Sequence, residues 1–408
     1  MTASQTDPFA DELRQRTAEG LRRTLREIES AQGPRVTVAG RQLVCFASNN
    51  YLGLAGHPRV VTAVREAAAR WGWGAGASPL VVGHMSPHAR LQQRLAAFEG
   101  TGAAIVCSTG YQANLAAVRS LAGRGDVVLL DKLDHASIID AARGSGATVR
   151  VYPHGDTRKL ERLLARTASA RRRVIVTDAL FSMDGDFADL ARLVELKERY
   201  DAILCVDEAH ATGVWGRLGR GAAEMMGVAD RIDVTVGTLS KALGGVGGFI
   251  AASRSIIDWI VQSAGAFIYS TALPSPACAA AEAALDLVAA EPDRRERLQT
   301  RAAELRDALR DQGWEIGRSE SQIVPILVGE ADRAVQLSAA LEAEGLLVPA
   351  IRPPTVPRGR ARLRVSLCSE HETIDLQRLV AALKRWKSTG SSAWGSAPGA
   401  DQPSEPRP

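Results

Sequence analysis

Cysteine is scarce and unpatterned. Five (Cys45, Cys107, Cys205, Cys278 and Cys368) are spread over 408 residues, an odd number with no pair at C-x-x-C spacing. That argues against a disulfide framework or a dithiol redox motif and leaves buried free thiols in a reducing compartment as the expectation. Long apolar runs are missing as well, since none reaches the roughly 18 uninterrupted residues of a membrane span. The lead from Met1 to Ser30 is charged throughout and lacks the apolar core of a secretory signal. A soluble, cytoplasmic protein with no membrane partner is therefore expected. Nor is there an excess of one charge: 50 basic against 46 acidic residues give a formal +4. So small a balance argues against nucleic acid as the main partner and leaves room for an anionic small substrate. The chain has no G-x-x-x-x-G-K-[ST] phosphate loop and no internal repeat, and no metal is expected.

What is present is ample apolar material, 46% of the chain, enough for two or three structural units at roughly 100–200 residues each. Residues 9–30 read as a charged amphipathic helix with a thin stripe of Leu13, Leu21, Leu25 and Ile28. Val36 to Phe46 reads as a hairpin turning at Ala39-Gly40. From about residue 55, short β-branched runs (127–130, 149–152, 174–177, 203–206, 234–236) alternate with helical stretches such as 158–168 and 189–200. That alternation indicates an α/β fold with a largely parallel sheet covered on both faces. After Pro276 the character changes to alanine-rich helices (277–290, 294–312). Strand-like 323–328, helix 331–344, strand-like 347–349 and 361–367, and helix 374–386 follow, together a smaller α+β unit. The expected divisions are 1–50, 51–276, 277–387 and a low-complexity tail, 388–408, expected to be disordered.

The chemistry concentrates at the ends of those strands, where open parallel sheets bind ligands. The run Ala202–Val206 ends in Asp207-Glu-Ala-His210, and Lys241 lies in Thr238-Leu-Ser-Lys-Ala-Leu-Gly-Gly-Val-Gly-Gly-Phe249, among hydroxyls and glycines. Asp207-Glu-Ala-His taken alone serves equally as a helix N-terminus with its acidic cap. A helicase box of the same letters fails for want of a phosphate loop. Most lysines are surface lysines, but Gly244-Gly245 and Gly247-Gly248 let backbone approach a ligand closely, and Thr238 and Ser240 suit phosphate oxygens. A crowded lysine amine with a carboxylate at a strand end is what a pyridoxal phosphate (PLP) enzyme requires: a Schiff-base amine, and an acid to keep the pyridine nitrogen protonated. Ser108-Thr-Gly110-Tyr111-Gln-Ala-Asn114 opens a helix whose free amides could cradle the phosphate. Tyr111 alone reads equally as packing. In Asp134-His135-Ala-Ser137 the imidazole could stack on an aromatic ring or cap the next helix.

Six segments in order, Ser48–Leu54 (Ser-Asn49-Asn-Tyr-Leu-Gly-Leu), Ser108–Asn114, Asp134–Ser137, Phe181–Asp186, Val206–Gly213 and Thr238–Lys241, resemble the α-oxoamine synthases. These are PLP enzymes of the type I aminotransferase fold, and the similarity runs from about residue 20 to 387. The resemblance implies a large PLP-binding domain with a mostly parallel seven-stranded sheet, a smaller C-terminal domain, and a homodimer with the active site at the interface. It implies Lys241 as the Schiff-base lysine, Asp207 as the pyridinium partner, His210 on the phenolic oxygen with Ser182 nearby, and His135 stacked over the ring. Gly110, Tyr111, Thr238 and Ser240 would form the phosphate and ring pocket, with Thr271 reaching the phosphate from the neighbouring subunit.

The C-terminal signature Ala350-Ile-Arg352-Pro-Pro-Thr355-Val-Pro357 looks most like the biotin-pathway branch of that family. That branch implies a decarboxylative condensation of L-alanine with a pimeloyl thioester, on CoA or acyl carrier protein. Arg352 would hold the amino acid carboxylate, although between prolines it also reads as a surface-loop arginine. Asn49 and His135 would line the substrate side, and Thr355 and Arg22, the latter placed in the N-terminal helix beside Arg23, would meet the acyl substrate. Other branches, such as 2-amino-3-ketobutyrate CoA ligase acting on glycine and acetyl-CoA, would keep the PLP residues. Pro79, Asn50 and Gly245-Val-Gly-Gly-Phe249 depart from the pattern common in relatives.

Overall fold

The structure, a computed structural model, describes residues 7–19 and 21–389. The hairpin forms as expected, with strands β1 (Arg35–Val38) and β2 (Arg41–Cys45) paired antiparallel about Ala39 and Gly40. Both turn residues have positive φ, 48° and 70°, the backbone that lets a two-residue turn follow the twist of its strands. The main sheet is built from β3 (Ala103–Cys107), β4 (Val127–Asp131), β5 (Thr148–Tyr152), β6 (Arg173–Asp178), β7 (Ile203–Asp207), β8 (Val234–Thr238) and β9 (Gly248–Ala252). Its order is β3-β9-β8-β7-β6-β4-β5, and β9 runs antiparallel to both of its neighbours. The expected seven-stranded, mostly parallel sheet is therefore present. The C-terminal unit adds β10 (Ile323–Gly329), β11 (Leu346–Leu347), β12 (Ala350–Ile351) and β13 (Ala361–Ser366). Three of these form a small sheet in the order β10-β13-β12, while β11 joins β2 in parallel.

Alternate residues of the main sheet enter different cores, as period-two side chains must. Helices Gly110–Leu121, Ala136–Arg143 and Arg254–Ser263 cover one face over Ile105, Val128, Val176, Val236 and Ile250. On the other face Val106, Leu129, Ile175, Val206 and Ala251 join a cluster that continues through Leu285 and Leu305 to Leu363 and Leu379. A fully buried aliphatic side chain contributes roughly 1.5–3 kcal/mol and an exposed ion pair about 0–1 kcal/mol. Shared apolar packing is thus what joins the C-terminal unit to the sheet.

The N-terminal helix is shorter than its periodicity suggests, running from Pro8 to Ala18 with Asp7 as its cap, and residues 21–29 have no regular structure. Arg22 is therefore not helical. The apolar stripe is split, Leu25 being fully exposed and Ile28 packing beside Val36 and Leu43, whereas the polar groups of the segment find partners across the C-terminal unit. Arg26 pairs with Glu342 at 2.8 Å, Arg23 Nη2 donates to Thr355 Oγ1 at 3.3 Å, and Arg22 C=O accepts from Arg352 Nη2 at 2.8 Å. These ties hold the chain extended. Of the expected disordered tail, Ser388 and Thr389 end the helix Thr373–Thr389, and 390–408 lie outside the described residues.

Candidate active site

Strands β4, β6, β7 and β8 finish along one edge of the sheet and deliver Asp131, Asp178, Asp207 and Thr238 to it, with Asp178 beside Asp207 in register. Asp207 is buried and held at both oxygens, each with acceptor capacity to spare: Oδ1 accepts the Ala209 N–H at 2.8 Å, and Oδ2 accepts Asn114 Nδ2 at 2.6 Å. Lys241 follows β8 in the loop to β9, and its Nζ has no hydrogen-bond or ion-pair partner among the described residues. Burial lowers its pKa to about 8; Asp207 and Asp178 oppose that shift and Arg364 reinforces it. An amine so placed has a far larger neutral fraction near physiological pH than an ordinary lysine, and that fraction is what a nucleophile and proton carrier uses.

The helix Gly110–Leu121 starts where β3 ends. Thr109 Oγ1 caps it by accepting Gln112 N–H at 3.0 Å, leaving the Gly110 and Tyr111 N–H groups without an acceptor among the described residues. Thr238 Oγ1 lies across from them, bonded to Ser240 Oγ at 2.8 Å and to Gly247 C=O at 3.0 Å. A Cβ on Gly110 would make van der Waals contact with Thr238 Oγ1 at 3.4 Å, which places the helix start and the Thr238 hydroxyl on two sides of one concavity. Two free amides, two hydroxyls and a helix start make an anion cradle. Ser108 Oγ donates to Thr271 C=O at 2.8 Å, which brings Thr271 beside the cradle of its own chain. Tyr111 is half exposed, and its hydroxyl bonds Asp140.

The glycines after Lys241 act differently from the sequence expectation. Gly248 begins β9, and a Cβ there would lie 2.6 Å from Gly110 Cα. One on Gly244 would lie 2.4 Å from the Ala55 nitrogen. Protein backbone, not ligand, fills the space they leave, and at Gly248 this packing props the start of the cradle helix.

His135 caps the helix Ala136–Arg143, its ring Nδ1 is 2.7 Å from Ser137 Oγ, and its backbone N–H donates to Asp178 Oδ2 at 2.6 Å. Partial burial lowers its pKa, against the pull of Asp207. His210 lies buried with Nδ1 2.7 Å from the Tyr51 hydroxyl. Burial, then the charges of Lys241 and Arg364, hold it well below the usual imidazole range, so it is neutral. Tyr51 in turn bonds Asn49 Oδ1 at 3.1 Å.

Arg364, buried in β13, donates to Ser182 C=O at 2.6 Å, to Asn49 Oδ1 at 3.2 Å and to Tyr51 at 3.4 Å. Arg362, two residues earlier on the same strand face, holds Met183 C=O and Asp184. The loop carrying Ser182 is thereby gripped from the C-terminal unit. Sequence reasoning missed Arg364, Tyr51, Asn114 and Ser137 as site residues. The signal for Arg364 was available in Arg360-Ala-Arg-Leu-Arg364: alternate arginines put charge on one face of a strand. Asn114 lies one helical turn after Gly110, hence over the same face.

Arg352 and Thr355 lie elsewhere, lining a groove of 540 Å³ together with Arg23, Arg26, Ala47 and Leu347. In it Arg23, not Arg22, presents its guanidinium, while Arg22 contributes the carbonyl that holds Arg352.

The profile of the family "aminotransferase class I and II" matches residues 41–383. An 8-amino-7-oxononanoate synthase of Geobacter sulfurreducens is 51% identical over 382 residues, covering 93% of this chain and 98% of that protein. Among solved structures, a serine palmitoyltransferase from S. paucimobilis with bound PLP–myriocin superposes with a TM-score of 0.90 at 30% identity, over 95% of this chain and 99% of that one. An 8-amino-7-oxononanoate synthase from Francisella tularensis superposes with a TM-score of 0.74 at 28% identity, covering 86% of this chain and 99% of that one. A lysine beside a fixed carboxylate at the strand ends of this sheet and a full-length profile match lead to one placement: the chain belongs to the class I and II aminotransferase family.

Proposed function

We propose that this enzyme uses PLP to condense L-alanine with a pimeloyl thioester, carried on CoA or acyl carrier protein. The products are 8-amino-7-oxononanoate, carbon dioxide and the freed thiol, a step of biotin synthesis. The observation that carries the chemistry is the unpartnered Lys241 amine, its pKa lowered by burial, within the field of the fixed Asp207 carboxylate. The choice of substrate rests on the relatives. Identity of 51% to an 8-amino-7-oxononanoate synthase outweighs 30% to a serine palmitoyltransferase, because the higher TM-score of the latter reports backbone shape and not the pocket.

The residues fit PLP. Gly110, Tyr111, Thr238 and Ser240 form an anion cradle that a Cβ at position 110 would narrow, with Thr271 at its edge. When bound, PLP supplies an electron sink conjugated to the amino acid Cα. Lys241 would anchor the cofactor at rest and serve as the base that takes and returns the Cα proton. Asp207 would keep the ring nitrogen protonated. His210 with Ser182 would hold the phenolic oxygen, and His135 would help orient the substrate bond to be broken. Asn49 would line the substrate side, Arg352 would meet the α-carboxylate by a bidentate contact, and Thr355 with Arg23, rather than Arg22, would meet the acyl carrier in the arginine-lined groove.

The working unit is a homodimer. Leu80, Val81, Val82 and Trp73 are exposed, as is Tyr269 two residues before Thr271, and the Ala272 N–H donates to Ala77 C=O, which ties the Thr271 segment to the one leading into Leu80. The cytoplasm suits five buried, unpaired cysteines. Among the described residues no helix is long and apolar enough to cross a membrane.

Spectral titration of the PLP-loaded enzyme with alanine, glycine and serine tests the amino acid choice. Alanine should saturate at the lowest concentration; tighter saturation by glycine, as for 2-amino-3-ketobutyrate CoA ligase, would overturn it.

A further inference from the structure

Behind the pocket, Asn114 is buried in the first turns of the cradle helix, with 2% of its surface exposed. Its Nδ2 lies 2.6 Å from Asp207 Oδ2 and 2.9 Å from Ser137 Oγ. Ser137, fully buried, also has its Oγ 2.7 Å from His135 Nδ1, and its backbone N–H donates to the same Nδ1 at 3.2 Å. The direction of each bond follows from donor chemistry. An amide nitrogen carries two hydrogens and no usable lone pair, so Asp207 Oδ2 and Ser137 Oγ both accept. The Ser137 hydroxyl hydrogen is then free for its remaining neighbour, His135 Nδ1. With an O–H and an N–H aimed at it, Nδ1 holds no proton of its own, and the ring proton sits on Nε2.

We propose that Asn114 is a positioning residue of the PLP site: one amide orients the Asp207 carboxylate and, through Ser137, fixes His135 as the neutral Nε2–H tautomer. This rests on the PLP reading given above. The two ends of the relay are the pyridinium partner and the imidazole over the ring, so the states of both faces of the cofactor pocket are set by one side chain that touches neither cofactor nor substrate. Reversing the amide would set its oxygen against Asp207, which excludes the flipped arrangement. The other charges acting on His135 are Lys241, Asp140 and Asp207, with Asp178 on its backbone N–H. None of them supplies a donor to Nδ1, so none can replace Ser137.

The test is 15N NMR of histidine-labelled, PLP-loaded protein, in which His135 is one of seven histidines and is assigned with His135→Gln. It is read beside the pH titration of the visible absorbance of the bound cofactor. The wild type should show His135 neutral with its proton on Nε2. Ser137→Ala should mix the tautomers and raise the His135 pKa by about one unit, leaving the absorbance midpoint in place, and Ser137→Thr should restore the wild-type signal. Asn114→Ala should change His135 likewise and also shift the absorbance midpoint by about one unit, with PLP bound about tenfold more weakly. If Asn114→Ala does not fold, Asn114→Ser and Ser137→Ala read the two arms. Variants that bind PLP with wild-type tautomer, pKa and absorbance midpoint would overturn the relay. A wild-type protein that gives no visible band with PLP would instead overturn the cofactor reading, while the His135 tautomer stayed measurable in the unloaded chain.

Discussion

Burial brings Lys241 within reach of deprotonation before any cofactor arrives. Its pKa near 8 lies below the ordinary lysine value of about 10.4, so the reactive amine fraction rises as pH climbs through about 8. Recombination of the unloaded enzyme with PLP should therefore reach half its maximal rate near pH 8; a rate still climbing steeply above pH 9.5 would contradict this. The same shift makes the charged lysine a local burden. Between about pH 8 and 10.4 the unfolded chain binds the proton more readily, so this group's contribution to stability improves with rising pH over that window. Lys241→Ala should abolish the visible cofactor band and cut turnover by at least about 1000-fold. Arg352 and Arg364 offer guanidinium groups at different depths, one in the open groove and one buried beside Tyr51. If Arg352 holds the substrate carboxylate, Arg352→Lys should raise the alanine KM about tenfold or more with little change in PLP affinity. An unchanged KM would move that role to Arg364. At this scale the sequence made Lys241, Asp207, His210 and His135 legible because each stands directly after a strand or in a distinctive run. Asn114 and Ser137 were not legible as site residues, because a buried amide and hydroxyl gain meaning only from partners 23 to 93 residues away.

Among the elements, β4 to β8 were readable as compact β-branched runs; β4, β6, β7 and β8 are buried on both faces and need no alternation, while β5 is an exposed edge strand. Strand β9 was not, because its opening Gly248 made it look like the end of a glycine loop. Its antiparallel pairing with β3 and β8 depends on contacts across 141 to 149 residues in the first case. Gly248 links this strand to the site: with 2.6 Å to Gly110 Cα, any side chain there pushes against the start of the cradle helix, where only backbone could yield. Gly248→Ala should leave a folded protein with PLP affinity reduced at least about tenfold, measurable by absorbance titration; wild-type affinity would show that the cradle tolerates the shift. The helix expected over 9–30 failed for the opposite reason. Its periodicity was genuine but thin, and ties from Arg22, Arg23 and Arg26 to the C-terminal unit decided the conformation.

The whole molecule places the proposed division at residue 276 inside continuous packing, since one apolar cluster runs from Val206 to Leu379. The two parts also meet around the site: Arg362 and Arg364 hold the Ser182 loop, and His154 with Arg318 holds Asp186 at its end. The exposed Leu80–Val82 and Tyr269 lie beside the segment that carries Thr271, so dimerisation and site assembly should fail together. Val81→Asp with Val82→Asp should turn a dimer into monomers in sedimentation and lose most activity; a monomeric, active wild type would contradict the dimer. The reaction itself is tested most directly by thiol release from pimeloyl-CoA with L-alanine in the PLP-loaded enzyme. Alanine-dependent CoA release matched mole for mole by carbon dioxide and 8-amino-7-oxononanoate is expected, faster than with acetyl-CoA or with glycine. No release from the pimeloyl thioester, or preferred turnover of glycine with acetyl-CoA, would contradict the proposed function.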